Sequence, residues 1–282
     1  MQRVVLSLFL SSAALAASPP PPVTDAALPP VLRFTHPLGD AFLLRPASCA
    51  PACPLVVVSH SRGMSAELSL TRPHLRSLFA RLTEAGYAVL ISNDAGPTTW
   101  GAPQALTYLA DMHARAVRTF PFNGHTYNFG YSMGGLPALL TAYKGVYPVS
   151  GVILLDAQVN LLDVWRGSNA TFSAEVTASH GLNGQAALPP GRDPYHDFAG
   201  QDAAQLPLLV AGSAEDQVVA FTRNGEALYA RSASPESRLL RLTGPHLGAS
   251  HFGDALVSGM LAFLNRLEHA GPLVHQQAGT GR

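Results

Sequence analysis

Residues 130–135 read Gly-Tyr-Ser-Met-Gly-Gly and directly follow the stretch Thr-Tyr-Asn-Phe at 126–129. They form a Gly-x-Ser-x-Gly elbow, with a predicted strand before it and helix-compatible residues after it. At such a sharp strand-to-helix turn the serine, Ser132, is lifted clear of the backbone and its φ and ψ angles are strained. Side chains two positions before and after the serine would collide, and glycine fills both positions. The stretch therefore predicts Ser132 as a nucleophile at the end of a strand.

Strand and helix patterns alternate along the chain on both sides of this elbow. Continuous apolar runs at 55–59 and 151–155 are typical of strands buried on both faces of a parallel sheet. Residues 73–85 and 103–120 have the pattern of helices between strands. We therefore predict an α/β fold with a doubly wound, mostly parallel sheet, whose functional residues lie at the carboxyl ends of the strands.

The first residues are typical of a secretory signal. Arg3 supplies a positive charge, residues 4–13 form an apolar segment too short to span a bilayer, and Ala-Leu-Ala at 14–16 fits a cleavage site. We expect export to the periplasm or the medium, with no stable membrane anchor after cleavage. Cys49 and Cys53 agree with export, since a disulfide is the expected state in an oxidising compartment.

The remaining chain fits one domain with an insertion. The 282 residues have a formal net charge of zero, and no cluster of Lys or Arg would follow a phosphate backbone, so we expect no nucleic-acid partner. Residues 157–205 show no clear strand, and a structureless loop of this length is uncommon, so we predict a lid or cap there. The predicted organisation is a signal peptide at 1–16, a proline-rich N-terminus at 17–30, a catalytic domain at 31–270 and a flexible tail at 271–282.

A serine hydroxyl is a poor nucleophile unless a base and an orienting acid accompany it. In this kind of fold the acid and then the histidine follow the serine along the chain. Asp216 comes after the apolar run at 208–211 and a glycine turn, so we predict it as the acid. Asp156, which ends the predicted strand at 151–155, is the alternative acid.

Two histidines that follow the predicted strand at 238–242 are candidates for the base. We predict His251, because the small residues at 248–250 leave room for its ring to turn towards Ser132 and a helix follows. His246 is the alternative base, or else a residue at the rim of the pocket.

An oxyanion formed at the reacting carbonyl needs backbone N–H donors. Met133 follows the nucleophile at the start of a predicted helix, and we predict it as the first donor. The second donor should come from the loop after residues 55–59, where we predict Arg62, with Ser61 as the alternative. His60 in the same loop is interpreted as structural. We predict no metal site and no cofactor.

Together these residues resemble the α/β-hydrolase superfamily. More narrowly, they resemble secreted bacterial esterases of the dienelactone-hydrolase-like and cutinase-like, or polyester-hydrolase-like, branches. The resemblance covers roughly residues 31–267. Its carriers are Val-Val-Val-Ser-His at 56–60, the elbow at 130–135 and Gly-Ala-Ser-His-Phe at 248–252.

The resemblance and the candidate triad imply hydrolysis of a small-molecule carboxylic ester through an acyl-enzyme. The same groups would also serve an acyltransferase or a peptidase. A third possibility is a secreted binding protein that is catalytically silent on the same scaffold.

Overall fold

The computed structural model describes residues 28–270, and an eight-stranded sheet runs through its centre. The predicted signal peptide, residues 17–27 of the proline-rich N-terminus and the predicted C-terminal tail lie outside the described residues. The strands are β1 Val31–Phe34, β2 Ala41–Leu44, β3 Cys53–Ser59, β4 Ala88–Ile91, β5 Phe122–Tyr131, β6 Gly151–Leu155, β7 Leu208–Ser213 and β8 Arg238–Leu242.

The strand order across the sheet is β1-β2-β4-β3-β5-β6-β7-β8. β2 pairs antiparallel with both β1 and β4, whereas all the pairings from β4 through to β8 are parallel. The carboxyl ends of β3 to β8 therefore meet at one edge. This arrangement confirms the predicted α/β class and the mostly parallel sheet.

Ten helices accompany the sheet within the described residues. They are α1 Ala66–Thr71, α2 Pro73–Glu84, α3 Pro103–Ala116, α4 Gly135–Tyr143, α5 Leu161–Trp165, α6 Ala170–His180, α7 Pro194–Asp197, α8 Gln201–Gln205, α9 Gly225–Tyr229 and α10 Asp254–His269.

The core lies on both faces of the sheet because successive side chains of a strand point in opposite directions. On one face α2 and α10 pack against alternate residues of the central strands, such as Val56 and Ile153. On the other face α3 packs against the residues between them, such as Val57, and α4 and α9 pack against β6 and β7. The central strands are buried on both sides, which explains their continuous apolar sequences.

Two helices differ from the sequence prediction. α3 ends at Ala116 rather than at residue 120, because the hydroxyl of Thr119 donates to the Ala116 carbonyl at 2.8 Å and proline follows at 121. α1 was not predicted, although Ser65 caps it by accepting from the N–H of Leu68 at 3.1 Å. A serine before a helical turn is a usual start signal.

The disulfide expected from the sequence joins Cys49 and Cys53. Cys53 is the first residue of β3, so the disulfide lies at the amino end of that strand, whereas the elbow lies at the carboxyl edge of the sheet. Within residues 28–270, none of the helices has the length and apolar character needed to cross a bilayer.

Candidate active site

The sharp turn after β5 places Ser132 at the carboxyl edge of the sheet. Ser132 begins a 3₁₀ turn that ends at Gly134, and its φ of +53° lies in the left-handed region that non-glycine residues avoid. A Cβ at Gly130 would collide with the Gly134 carbonyl, and a Cβ at Gly134 would collide with the Ser59 carbonyl. The glycines therefore permit the close packing that holds the serine in this strained conformation.

Ser132, His246 and Asp216 form a continuous hydrogen-bonded chain. The Oγ of Ser132 lies 2.9 Å from Nε2 of His246, and Nδ1 of His246 lies 2.6 Å from Oδ2 of Asp216. The three come from the loops after β5, β8 and β7. This is the geometry in which an imidazole takes the serine proton and a carboxylate orients the imidazole.

Asp216 is held as a carboxylate by its surroundings. Its other oxygen, Oδ1, accepts the backbone N–H groups of Val218 at 2.8 Å and Val219 at 2.9 Å. Burial raises the pKa of Asp216, but hydrogen bonds from His246 and from these two backbone groups outweigh burial and leave the pKa below its usual range. Asp216 is therefore ionised at neutral pH and can stabilise a positive charge on His246.

The prediction that His251 contacts Ser132 is wrong. Its ring is fully buried, with Nδ1 at 2.6 Å from Oδ2 of Asp156 and Nε2 at 3.1 Å from the carbonyl oxygen of Thr243. The small residues at 248–250 do not free the ring to move, because a 3₁₀ turn over Ala249–Phe252 directs it inward beneath the loop.

His246 reaches the serine because of its distance from the end of β8. It follows the last strand residue, Leu242, by four positions and so still lies at the carboxyl edge of the sheet. The alternative acid, Asp156, directly follows β6 at the same edge but bonds to His251 rather than to His246. Of the predicted triad residues, Ser132 and Asp216 thus both contact one histidine, and that histidine is His246, the alternative base.

The predicted oxyanion loop follows β3, and hydrogen bonds of His60 and Asp94 hold it in place. The ring nitrogens of His60 lie 2.8 Å from the Ser61 carbonyl and 3.1 Å from the Asn93 carbonyl, which fits the structural role expected for His60. Its backbone N–H donates to Asp94 at 3.1 Å. Burial raises the pKa of Asp94, and the neighbouring His60 opposes this rise. Sequence reasoning missed Asp94, although it lies three residues past the end of β4.

The N–H groups further along this loop are already used. Gly63 donates to the Pro97 carbonyl at 2.8 Å, and Met64 donates to the Ser61 carbonyl at 3.1 Å. These bonds fold the loop into a turn beside the elbow and leave Arg62 and Ser61 as its candidate oxyanion donors. Met133 follows Ser132 within the 3₁₀ turn.

The insertion between β6 and β7 contains α5 to α8 and no strand, and its α5 and α6 pack above the elbow. An apolar cluster joins these helices to the elbow, to α4 and to the loop after β4. We call it the cap cluster, and its buried members are Trp100, Met133, Leu136, Leu161, Val164, Val176 and Leu182.

A polar clamp fixes α6 to the oxyanion loop. The guanidinium of Arg62 donates to both carboxylate oxygens of Glu175, at 2.7 and 2.5 Å, and the indole N–H of Trp100 donates to the same carboxylate at 3.0 Å. The Arg62 guanidinium also lies 5.0 Å from the ring centre of Phe172 on α6. Burial raises the pKa of Glu175, but the hydrogen bonds from Arg62 and Trp100 outweigh burial and leave this pKa below its usual value. Glu175 is therefore ionised.

One group of described side chains has the spacing of metal ligands. Asp156, Asp216 and His246 each offer one atom, and these atoms lie within 4.8 Å of one another. Both ring nitrogens of His246 and the carboxylate of Asp216 already bond to protein partners. A metal ion here would have to displace the contact between His246 and either Ser132 or Asp216.

Comparison with known proteins gives likenesses at the level of structure. No protein-family model matches the sequence, and no curated protein matches it. Among solved structures, Est1E from Butyrivibrio proteoclasticus has a TM-score of 0.66 at 17% identity, with 85% of this chain and 99% of that chain covered. A truncated carbohydrate esterase from gut microbiota has a TM-score of 0.68 at 14% identity, with 88% and 99% covered.

A third likeness is to FphF, a fluorophosphonate-binding serine hydrolase of Staphylococcus aureus. Its TM-score is 0.64 at 16% identity, with 83% of this chain and 97% of that chain covered. At identities this low, the TM-scores show a shared fold and nothing about the reaction. The chain therefore has the α/β-hydrolase fold.

Proposed function

We propose that this protein is a serine hydrolase that cleaves carboxylic esters through an acyl-enzyme. The observation that carries the proposal is the chain of hydrogen bonds from Ser132 through His246 to Asp216, built on a strained elbow. The names of the structural neighbours, which include esterases and a serine hydrolase, support the same reaction class.

In the proposed reaction the Oγ of Ser132 attacks the ester carbonyl while Nε2 of His246 takes its proton. Asp216 accepts the Nδ1–H of His246 and stabilises the imidazolium. The alcohol leaves with the proton from His246, which forms the acyl-enzyme. Water then attacks the acyl carbonyl, with His246 again acting as the base, and Ser132 is released.

Two backbone N–H groups would stabilise the oxyanion of each tetrahedral intermediate, those of Met133 and Arg62. Such donors act on charge that develops in the transition state, and removing one costs about 10²- to 10³-fold in kcat in enzymes of this type. The bracing of the loop by His60 and Asp94 would hold the second donor in place.

The surroundings of the serine favour an ester with a short acyl chain. Ser132 is only 8% exposed, and the cap cluster covers the apolar side of the elbow with bulky side chains. We infer that the acyl group of a substrate would lie against α5 and α6, which pack on Met133 and Leu136 beside the serine. A closed, apolar site excludes water and strengthens the electrostatic contacts inside it.

The first test is hydrolysis of p-nitrophenyl esters from acetate to palmitate by residues 17–282. We expect turnover that is highest for acetate and butyrate and that falls for octanoate and longer chains, because the cap limits the space for the acyl group. Highest activity on palmitate would contradict the covered site, and no turnover on any ester would contradict the proposed function.

The clamp between Arg62 and Glu175 should contribute to this chain-length limit. In Glu175→Gln the carboxylate charge that holds α6 to the oxyanion loop is lost. We expect the ratio of octanoate to acetate hydrolysis to rise about fivefold, the equivalent of ~1 kcal/mol for a partly exposed ion pair. Glu226→Gln is the matched control, because Glu226 pairs with Arg241 outside the cap. An equal change in both variants would contradict a role of the clamp in selectivity.

A further inference from the structure

A second carboxylate–imidazole pair lies beside the candidate triad. Oδ2 of Asp156 is 2.6 Å from Nδ1 of His251, and both side chains are almost completely shielded from solvent. Asp156 directly follows β6 with a φ of +44°, so its backbone is strained in the same sense as that of Ser132. The proposed reaction uses neither residue.

The pair is bonded to both ends of the short segment that contains His246. Besides His251, Oδ2 of Asp156 accepts the backbone N–H of Leu247, the residue after His246, at 2.8 Å. Nε2 of His251 donates to the carbonyl of Thr243, three residues before His246, at 3.1 Å. The backbone that carries the His246 ring is therefore held on each side by the same two side chains.

The bond to Leu247 has a specific task because Leu247 has a φ of +49°. A branched apolar residue avoids this region, and such a conformation costs about 1–3 kcal/mol unless its surroundings enforce it. The carboxylate of Asp156 supplies such a constraint by fixing the Leu247 N–H. Without it, the segment would relax and move the His246 ring away from Ser132.

The hydrogen bonds also determine the net charge of the pair. A carbonyl oxygen only accepts, so Nε2 of His251 carries a proton, and the contact between Nδ1 and Asp156 contains a second one. Whether that second proton is on nitrogen or on oxygen, the pair as a whole is neutral. This matters because an Asp156 oxygen lies within 4.8 Å of ligand atoms of both Asp216 and His246. Two uncompensated carboxylates at that distance would repel each other.

We propose that Asp156 and His251 are positioning residues that hold the base His246 in register with Ser132. The proposal rests on the function proposed above, since it assigns His246 as the base. The Asp156 carboxylate fixes the backbone after His246. His251 fixes the backbone before it and neutralises Asp156, so that of these two carboxylates Asp216 alone keeps its negative charge next to the base.

The test compares Asp156→Asn and His251→Gln with a matched control, His113→Gln. His113 is also buried, but it bonds to Thr126 at 2.9 Å, six residues before Ser132 on an extended strand and so roughly 20 Å away. For p-nitrophenyl acetate, we expect kcat to fall about 10- to 100-fold in the two site variants, with KM changed less than about threefold. Labelling by a fluorophosphonate should slow by the same factor, and the control should lose thermal stability without losing kcat.

A second readout does not depend on ester hydrolysis. The short bond between His246 and Asp216 should give a low-field proton resonance in ¹H NMR spectra. We expect this resonance to shift or broaden in His251→Gln and to stay unchanged in His113→Gln. This result would support positioning even if the wild-type protein hydrolyses no ester, in which case only the proposed function fails.

Three results would overturn the proposal. The first is a wild-type kcat and an unchanged resonance in a folded Asp156→Asn or His251→Gln variant. The second is an equal loss of kcat in His113→Gln, which would mean a general loss of stability. The third is a loss in His251→Gln as large as that in Ser132→Ala, which would make His251 the base. If Asp156→Asn does not fold, the test rests on His251→Gln alone. That variant keeps the bond from the Leu247 N–H to Asp156.

Discussion

Replacement of Ser132 by alanine is expected to lower kcat for p-nitrophenyl acetate by about 10⁴- to 10⁶-fold. Ser132 Oγ is the proposed attacking atom, and the bond to His246 at 2.9 Å is what makes a serine hydroxyl reactive at neutral pH. The variant should fold normally, because alanine keeps the Cβ and removes one oxygen at the end of β5. Circular dichroism and a thermal melt check this.

The same variant should lose its reaction with a fluorophosphonate probe. The probe labels an activated serine whatever the substrate, so it separates an enzyme with an unknown substrate from a silent binding protein. Labelling of the wild type alone, at the peptide that contains Ser132, supports the nucleophile. Near-normal turnover or labelling in Ser132→Ala would contradict it.

The second large effect concerns the choice between two histidines. We expect His246→Gln to lower kcat by about 10⁴-fold or more, because no group would then take the serine proton. His251→Gln should cost no more than about 100-fold, since His251 acts only through the position of the loop. The same substitution at both sites makes the comparison direct, and kcat for p-nitrophenyl acetate is the quantity to measure.

Differences in stability could confuse this comparison, because His251 is fully buried whereas the His246 side chain is 14% exposed. We expect His251→Gln to melt at a lower temperature than His246→Gln and still to be much the more active variant. A larger loss of kcat in folded His251→Gln than in His246→Gln would contradict the assignment of the base.

The sequence was sufficient to predict the framework of the site. The apolar runs before Ser132 and Asp216 marked buried strands, and both residues lie just past a strand end, where parallel strands gather functional side chains. The alternation of strands and helices and the disulfide were also predictable. Each of these depends on a local pattern or on the general rules of α/β sheets.

The histidine that contacts Ser132 was not predictable, because local sequence does not report loop geometry. His251 lies in a motif that resembles the catalytic loop of polyester hydrolases, whereas His246 has no such motif around it. What decides between them is the pair of bonds from Asp156, which follows β6, to Leu247 and His251, contacts across about 90 residues of sequence. The distance of His246 from the end of β8 was the one available signal.

The helices of the insertion were hard to predict for a different reason. The apolar residues of α6 do not fall on one face, because the helix contacts the loop after β4 partly through the polar side chain of Glu175. A capping residue, Asn169, accepts the N–H of Phe172 at 3.2 Å and was the clearest local signal of a helix start. The narrower likeness to dienelactone-hydrolase-like and cutinase-like branches stays a prediction.

The most direct test of the central claim is to trap the acyl-enzyme. The protein is mixed with excess p-nitrophenyl acetate, release of p-nitrophenol is followed in the first turnover, and the quenched protein is digested and analysed by mass spectrometry. We predict a burst of about one equivalent of p-nitrophenol per protein and one acetyl group on the peptide that contains Ser132. Turnover without any acetyl group on Ser132, or an acetyl group on another residue, would contradict the account.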